Sequence, residues 1–202
     1  MTKGYPEKQG LYEPANEHDS CGFGFVVDIE GRKSHSIVQQ ALQVLLNLEH
    51  RGAAGAEKNT GDGAGILLQT PDAFLRKEAR KLGIELPPTG RYAAGMVFLP
   101  SDPQSLAACQ KKLEEVVRSE GQVLMGWRDV PYDLSTLGDM ARASQPVIRQ
   151  IWIGAGEGAG DLTAFERKLY VIRRLSRKSI LRSNNPGRRE FYVASLSART
   201  IV

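Results

Sequence analysis

After residue 21, strand-like and helix-like patterns alternate along the chain, and this alternation limits the possible folds more than any other feature. Residues 36–49 are amphipathic, because their apolar side chains recur at helical spacing and share one broad face. Ser36 with Gln39 forms a capping-box pattern at the start of this helix, and Gly52 provides a stop signal. Short apolar runs between the helices have the length and composition of strands. The sequence therefore predicts an α+β domain.

Three further helices are predicted from their start signals. Thr70-Pro71 and Asp102-Pro103 each place a capping residue before a proline, and their helices are expected to run to about Gly83 and Gly121. A third helix is predicted from a second capping box, formed by Thr163 and Glu166. Residues 132–143 are predicted to form a loop or a short helix.

Six strands are predicted, at residues 21–28, 65–70, 92–99, 122–127, 146–153 and 190–202. The last of them reaches Val202 without a turn residue, a charge or a polar tail. A terminus in the middle of a strand is uncommon, so we expect the chain to be a fragment; a strand docked at a sheet edge is the alternative.

Composition excludes several classes of protein. The chain has 202 residues, 41% apolar and 25% charged, which is typical of one soluble globular domain. Its apolar runs are too short to cross a bilayer, and residues 1–20 lack the apolar block of a secretory leader. Cys21 and Cys109, its two cysteines, form neither a disulfide framework nor a zinc motif. We therefore expect a cytoplasmic protein with reduced thiols and no membrane contact.

Nine basic residues lie between positions 167 and 189. One interpretation is a patch that binds nucleic acid or an acidic partner. The other is the solvated face of one helix, which we favour because no aromatic residues alternate with the charges as a stacking surface would require. Nucleic acid is therefore not an expected partner.

Cys21 is the candidate nucleophile, and its thiol needs a base or a lowered pKa to react. The three histidines, His18, His35 and His50, offer no obvious partner, and His50 suits the C-terminal end of a helix. If the bond before Cys21 is cut, however, its own α-amine becomes free. Such an amine has a pKa of about 7.7–8.0 and can accept the proton, directly or through one water. Cys21 would then carry both nucleophile and base, with Gly22 and Gly24 letting substrate approach the backbone; a buried structural cysteine is the alternative.

Five glycines mark the connection between residues 52 and 65, namely Gly52, Gly55, Gly61, Gly63 and Gly65. A segment of such small residues can line a tight pocket and bind oxyanions through its N–H groups. It is not a phosphate-binding P-loop, since it lacks the Gly-Lys-Ser/Thr ending and a strand is predicted to follow it. Asp62 is a catalytic candidate, but an aspartate between glycines is more often a turn former.

Together these blocks closely resemble the start of the glutaminase domain of glutamate synthase large subunits. The resemblance rests on five segments of sequence, which are Asp19-Ser20-Cys21-Gly22-Phe23-Gly24, His50-Arg51-Gly52, Asn59-Thr60-Gly61-Asp62-Gly63-Ala64-Gly65, Pro146-Val147-Ile148-Arg149-Gln150 and Ser195-Leu196-Ser197-Ala198-Arg199-Thr200. These segments span essentially the whole chain. Gly10-Leu11-Tyr12 also fits the short propeptide of this family.

The resemblance implies a class II glutamine amidotransferase of the N-terminal-nucleophile hydrolase superfamily. Its fold is a four-layer αββα sandwich, which this chain would represent only in part. Residues 1–20 would be a propeptide removed on maturation, and residues 21–202 the N-terminal portion of the domain. Cys21 would attack the side-chain amide of glutamine and release ammonia for transfer to 2-oxoglutarate, giving glutamate. Arg51 would be a substrate-binding residue near the wall of the site; a structural helix-terminal arginine is the alternative.

The resemblance also implies what lies outside this segment. The residues that hold glutamine and the oxyanion would follow Val202, so we expect the free chain to be inactive and to bind glutamine negligibly. FMN and an iron–sulfur cluster would belong to other domains of the full-length enzyme, and no cofactor or metal is expected in this segment. The partners would be those domains, and a small subunit or ferredoxin as electron donor.

Two other functions are compatible with these residues. One is another class II amidotransferase, acting for a nucleotide or an amino sugar, against which the 60–65 block argues. The other is an inactive fragment that acts as a binding module through its basic helix.

Overall fold

The computed structural model describes residues 8–10, 22–52, 57, 60, 61 and 63–202. The chain divides into two compact units, residues 1–64 and residues 65–202. Helices and antiparallel strands are combined, so the α+β prediction is confirmed.

In the first unit, helix α1 spans His35–Asn47 and is followed by a 3-10 helix, Glu49–Arg51. The cap of α1 is Ser34, whose hydroxyl accepts from the N–H of Ile37, so the predicted cap at Ser36 is wrong. Residues 22–28 have no regular secondary structure and no strand partner among the described residues, so the predicted strand at 21–28 is not formed there. Although the apolar side chains of this helix share one face, no residue of α1 is buried.

The second unit contains the remaining helices and strands. The helices are α2 Asp72–Arg80, α3 Pro103–Ser119, α4 Asp139–Ala143 and α5 Leu162–Leu181. The strands are β1 Leu68–Gln69, β2 Tyr92–Leu99, β3 Val123–Asp129, β4 Val147–Gly154, β5 Tyr192–Ser197 and β6 Thr200–Ile201. A four-stranded antiparallel sheet has the order β3-β4-β2-β5, and β1 pairs with β6 in a second, two-stranded sheet.

The four-stranded sheet has a core on each face, because alternate residues of its central strands point to opposite sides. Ala93, Val97, Ile151 and Ile153 pack with the apolar stripes of α3 and α5 in the larger core. Tyr92, Ala94 and Trp152 pack with Leu75 and Ala79 of α2 and with Ile201 of β6 in the smaller one.

Of the predicted helix start signals, the one at Asp102-Pro103 was correct. Asp102 caps α3 by accepting from the N–H of Ser105 at 2.8 Å, as the Asp102-Pro103 pair predicted. At α5 the cap is Asp161, which accepts from the N–H of Ala164 at 2.7 Å, so the capping box of Thr163 and Glu166 is wrong. Thr70 does not cap α2 either; its hydroxyl donates to the carbonyl of Ala198 at 3.1 Å.

A network of polar side chains fixes the start of α2 to β2. Asp72 forms an ion pair with Arg76 at 2.9 Å and accepts from Tyr92 Oη at 2.7 Å. Arg76 also donates to the carbonyls of Leu86 and Pro87 and lies over the Tyr92 ring. The hydrogen bond from Arg76 is the largest of the effects that lower the pKa of Asp72. Burial, followed by the hydrogen bond to Asp72, raises the pKa of Tyr92.

The segment predicted as a single strand over residues 190–202 is two strands. β5 ends at Ser197, Ala198 and Arg199 form a bend, and β6 begins at Thr200. The bend carries the chain to β1, where Thr200 is opposite Gln69 and Ile201 opposite Leu68. The predicted long strand is therefore wrong.

Candidate functional site

Within the first unit, the segment that follows Cys21 lies against α1. A Cβ added to Gly24 would be 2.6 Å from Val44 Cγ1, and one added to Gly22 would be 3.0 Å from Leu48 Cδ2. Gly24 therefore permits the close approach of this segment to the helix, a reason that the sequence did not reveal, whereas the contact at Gly22 is with the flexible side chain of Leu48. Phe23 and Phe25 alternate with them and are 85% and 83% exposed.

The remaining candidate residues of this unit are described only in part. Cys21 and Asp62 lie outside the described residues, as do residues 53–56, 58 and 59 of the glycine-rich connection. Arg51 closes the 3-10 helix after α1. His50 Nδ1 is 3.0 Å from the carbonyl oxygen of Asn47, to which it donates, so His50 has the structural role that its place at a helix end predicted.

In the second unit, the two later segments of the resemblance are on strands that flank β2. Gln150 of β4 and Ser195 of β5 are both register partners of Met96. Directly opposite residues of antiparallel strands share a face of the sheet, so Gln150, Met96 and Ser195 form one row across it. Gln150 is 3% exposed and Ser195 is 7% exposed, so the row contains two buried polar side chains.

Two polar atoms on this face have no hydrogen-bond partner among the described residues, and both belong to β4. They are Gln150 Oε1 and Trp152 Nε1. Unpaired buried polar atoms are uncommon and cost about 1–3 kcal/mol each. The sequence singled out Gln150 as part of a motif, but nothing in it indicated that the amide would be buried.

The segment Ser195–Thr200 builds the bend between β5 and β6. Ser197 Oγ donates to the carboxylate of Glu166 on α5, which also accepts from the N–H of Ala198 at 2.7 Å. Ser197 Oγ in turn accepts from the N–H groups of Arg199 and Thr200 at 2.9 and 3.3 Å. The hydroxyl of Ser195 accepts from the N–H of Val202 at 3.3 Å. Both serines of this segment therefore have structural partners.

Cys109 is a packing residue in α3, as predicted. It is 1% exposed, and its sulfur is 3.4 Å from Asn185 Nδ2, which donates to it. Burial raises the pKa of the Cys109 thiol to about 11. A thiol with so little thiolate near neutral pH is a poor nucleophile.

Among the described residues, no three His, Cys, Asp or Glu side chains are grouped so that they could hold a metal ion. In the same part of the chain, no helix is long and apolar enough to span a membrane.

The comparisons with known proteins agree over almost the whole chain. The sequence model of the glutamine amidotransferases class-II family matches residues 21–202. The large chain of the NADPH glutamate synthase of Bacillus subtilis is 44% identical over 98% of this chain. The NADH glutamate synthase of Schizosaccharomyces pombe is 39% identical over 98%, and ferredoxin-dependent glutamate synthase 2 of Synechocystis is 38% identical over 92%.

These relatives are much longer proteins. The match covers 13% of the Bacillus protein, 9% of the Schizosaccharomyces protein and 11% of the Synechocystis protein. By the family match over residues 21–202, this chain belongs to the class II glutamine amidotransferases.

Proposed function

We propose that this chain is the glutamine-hydrolysing portion of a glutamate synthase, with Cys21 as its nucleophile. The observation that carries the proposal is where the family match begins. It starts at Cys21, the residue that would become the new N-terminus if residues 1–20 were removed as a propeptide. Cys109 is not a rival nucleophile, because it is buried in α3 and its thiol has a raised pKa.

The α-amine of Cys21 supplies the base for this chemistry. It accepts the thiol proton while the sulfur attacks the amide carbon of glutamine. The C–N bond then breaks and the leaving nitrogen takes the proton back from the α-ammonium, so that ammonia departs and a glutamyl thioester remains. Water, deprotonated by the same amine, attacks the thioester and releases glutamate and the free thiol. These steps regenerate the thiol and the α-amine of Cys21.

Arg51 would lie near one wall of the proposed site, and the small residues of the connection after it would suit the lining of a tight pocket. The position of Arg51 at the end of the 3-10 helix Glu49–Arg51 supports this, since the chain there leaves the helix and enters the 52–65 segment. The N–H groups of that segment can accommodate oxyanions. The oxyanion hole and the groups that bind the glutamine carboxylate and amine are proposed to lie beyond Val202.

We extend the proposal to the fold, which would be the four-layer αββα sandwich of N-terminal-nucleophile hydrolases. The packing of α3 and α5 on one face of an antiparallel sheet corresponds to two adjacent layers of such a sandwich. The partial exposure of Tyr192, at 41% on the edge strand β5, leaves room for further packing there.

The whole enzyme is proposed to add the released ammonia to 2-oxoglutarate and reduce the product to glutamate. The relatives' names give NADPH, NADH or ferredoxin as the reductant of those proteins. FMN and an iron–sulfur cluster would serve that reduction. The cysteines of this chain do not fit a cluster, which takes four thiolates, since the chain has two and Cys109 is enclosed in α3. We therefore place both cofactors, and the contacts with a small subunit or ferredoxin, in other domains.

Intact mass and N-terminal sequencing of the active enzyme test the maturation step. The expected N-terminus is Cys21, because only then is its α-amine available as base. A variant that lacks residues 2–20 begins Met-Cys. It should be active once its initiator methionine is removed, because Cys21 is then the N-terminal residue. Fully active enzyme that retains Met1 would overturn the assignment of the base.

A further inference from the structure

The outward face of α5 carries a concentration of positive charge that its own helix does not neutralise. Leu162–Leu181 contains six basic residues and one acidic residue, Glu166, which is bonded to Ser197 and Ala198. Of the basic residues on and just after α5, Arg167, Arg174, Lys178 and Arg182 are exposed and have no carboxylate partner among the described residues. They lie on one side of the helix, since their spacings are seven, four and four residues.

Ion pairs neutralise part of the charge on the other long helices of this unit. On α3, Arg118 pairs with Glu114 and Lys112 with Glu115. On and next to α2, Arg76 pairs with Asp72 and Lys81 with Glu78. On α5 the contacts at i,i+4 between Arg174, Lys178 and Arg182 join like charges, each of which costs about 0.2–0.5 kcal/mol. Among the described residues, α2 has two exposed basic residues without an ion pair, Lys77 and Arg80, and α3 has one, Lys111. α5 differs in carrying four such residues in one row.

Apolar side chains are exposed among these charges. Tyr170 is 63% exposed, Leu181 is 40% exposed and Leu175 is 38% exposed. Tyr170 precedes Arg174 by one turn, and Leu181 follows it by two turns, so both belong to the charged face. Protein interfaces also combine apolar contacts with charged groups around them.

We propose that this face of α5 is a docking surface for an acidic segment of a partner protein that carries apolar side chains between its carboxylates. The four unpaired basic residues would meet the carboxylates, and Tyr170 and Leu181 the apolar side chains. Nucleic acid is a poorer fit, because phosphates offer nothing to Leu181 and one tyrosine is not a stacking surface. A bilayer is also a poorer fit, since the apolar stripe of α5, including Phe165 and Ile172, is already buried in the core.

The test is a fluorescence-anisotropy titration of the 202-residue chain with a labelled peptide of about 20 residues, in which glutamates alternate with leucines at helical spacing. The triple variant Arg174→Gln/Lys178→Gln/Arg182→Gln should weaken binding by about tenfold or more. The control triple Lys77→Gln/Arg80→Gln/Lys111→Gln removes the same charge from exposed positions of α2 and α3 and should change binding by about twofold or less. Tyr170→Ser should weaken binding without changing net charge, and thermal melts would show that each variant is folded.

Three results would overturn the proposal. One is that the peptide does not bind through its glutamates: either no binding is measurable, or binding persists when glutamine replaces every glutamate in it. Another is an equal loss in the two triple variants, which would indicate attraction to net charge alone. The third is tighter binding of a single-stranded oligonucleotide than of the acidic peptide, which would make nucleic acid the ligand of this face.

Discussion

Glu166 on α5 holds Ser197 at the end of β5: the two carboxylate oxygens of Glu166 lie 2.9 and 3.1 Å from Ser197 Oγ. The same carboxylate accepts from the N–H of Ala198, so one side chain fixes the bend that leads to β6. It joins residues more than thirty positions apart in sequence.

Replacing Glu166 by glutamine should lower the free energy of unfolding by about 1.5–3 kcal/mol, the usual range for hydrogen bonds to a charged group. The amide can no longer accept from both Ser197 and Ala198 with a charged oxygen. Urea denaturation measures the change. Glu157→Gln, at an exposed carboxylate close to the start of the same helix, is the matched control and should have little effect. Equal stability of the two variants would remove the role given to Glu166.

The cap of α5 can be tested by comparing two neighbouring residues. Asp161→Ala should destabilise the protein by about 1 kcal/mol, because it removes the acceptor for the N–H of Ala164. Thr163→Ala should cost much less, since Thr163 does not cap the helix. Thermal or urea unfolding of the two variants measures the difference, and a larger loss from Thr163→Ala would restore the cap that the sequence predicted.

The ion pair of Asp72 makes part of the stability dependent on pH. The folded protein lowers the pKa of Asp72 from its ordinary value of 3.8, so the ionised form is the stabilising one. Its contribution is fully present above that ordinary value and is lost as the pH falls through the lowered one. Asp72→Asn should therefore destabilise the protein by about 1–3 kcal/mol at pH 7 and by less at pH 3, which is below the ordinary pKa of an aspartate.

Urea unfolding at both pH values checks this prediction. Asp139→Asn, at an exposed aspartate in the first turn of α4, is the control and should show a small effect at either pH. A cost of Asp72→Asn that stays constant down to pH 3 would contradict an ionised, hydrogen-bonded Asp72.

Cys109 should react slowly with thiol reagents in the folded protein. Its pKa of about 11, two units above the ordinary value of 9.0, reduces the thiolate by about a hundredfold near neutral pH, and burial adds to this. Alkylation with iodoacetamide, followed by mass spectrometry, should label Cys109 quickly only after denaturation. Rapid labelling of Cys109 in the native protein would contradict its burial in α3.

Much of the fold could be predicted because its signals are local. The Asp102-Pro103 pair contains both a cap and a first helical residue, and the apolar run at 92–99 gave β2 with its bounds unchanged. Errors occurred where several residues of the same kind compete within a few positions. Ser34 and Asp161 cap their helices in place of Ser36 and Thr163, and only the backbone path decides between such neighbours.

The bend after Ser197 could not be predicted, since it depends on Glu166 and on Thr70, which is 128 positions from Ala198. In the candidate site, too, local features could be predicted from the sequence and contacts between distant segments could not. Cys21 and the glycines around it were chosen as candidates from their order in the sequence, and Cys21 stays a prediction because it lies outside the described residues. The packing of Gly24 on Val44, and the burial of Gln150 opposite Met96, depend on contacts between distant segments.

The most direct test of the central claim is to replace each cysteine in the full-length enzyme, which we propose to be a glutamate synthase. Cys21→Ser should reduce glutamine-dependent glutamate formation by about 10⁴-fold or more, because it removes the nucleophile. Glutamate formation from added ammonia should be largely unchanged, since ammonia bypasses glutamine hydrolysis, and Cys109→Ser should leave both activities near those of the unaltered enzyme. Equal loss of both activities from Cys21→Ser, or full glutamine-dependent activity without Cys21, would contradict the account.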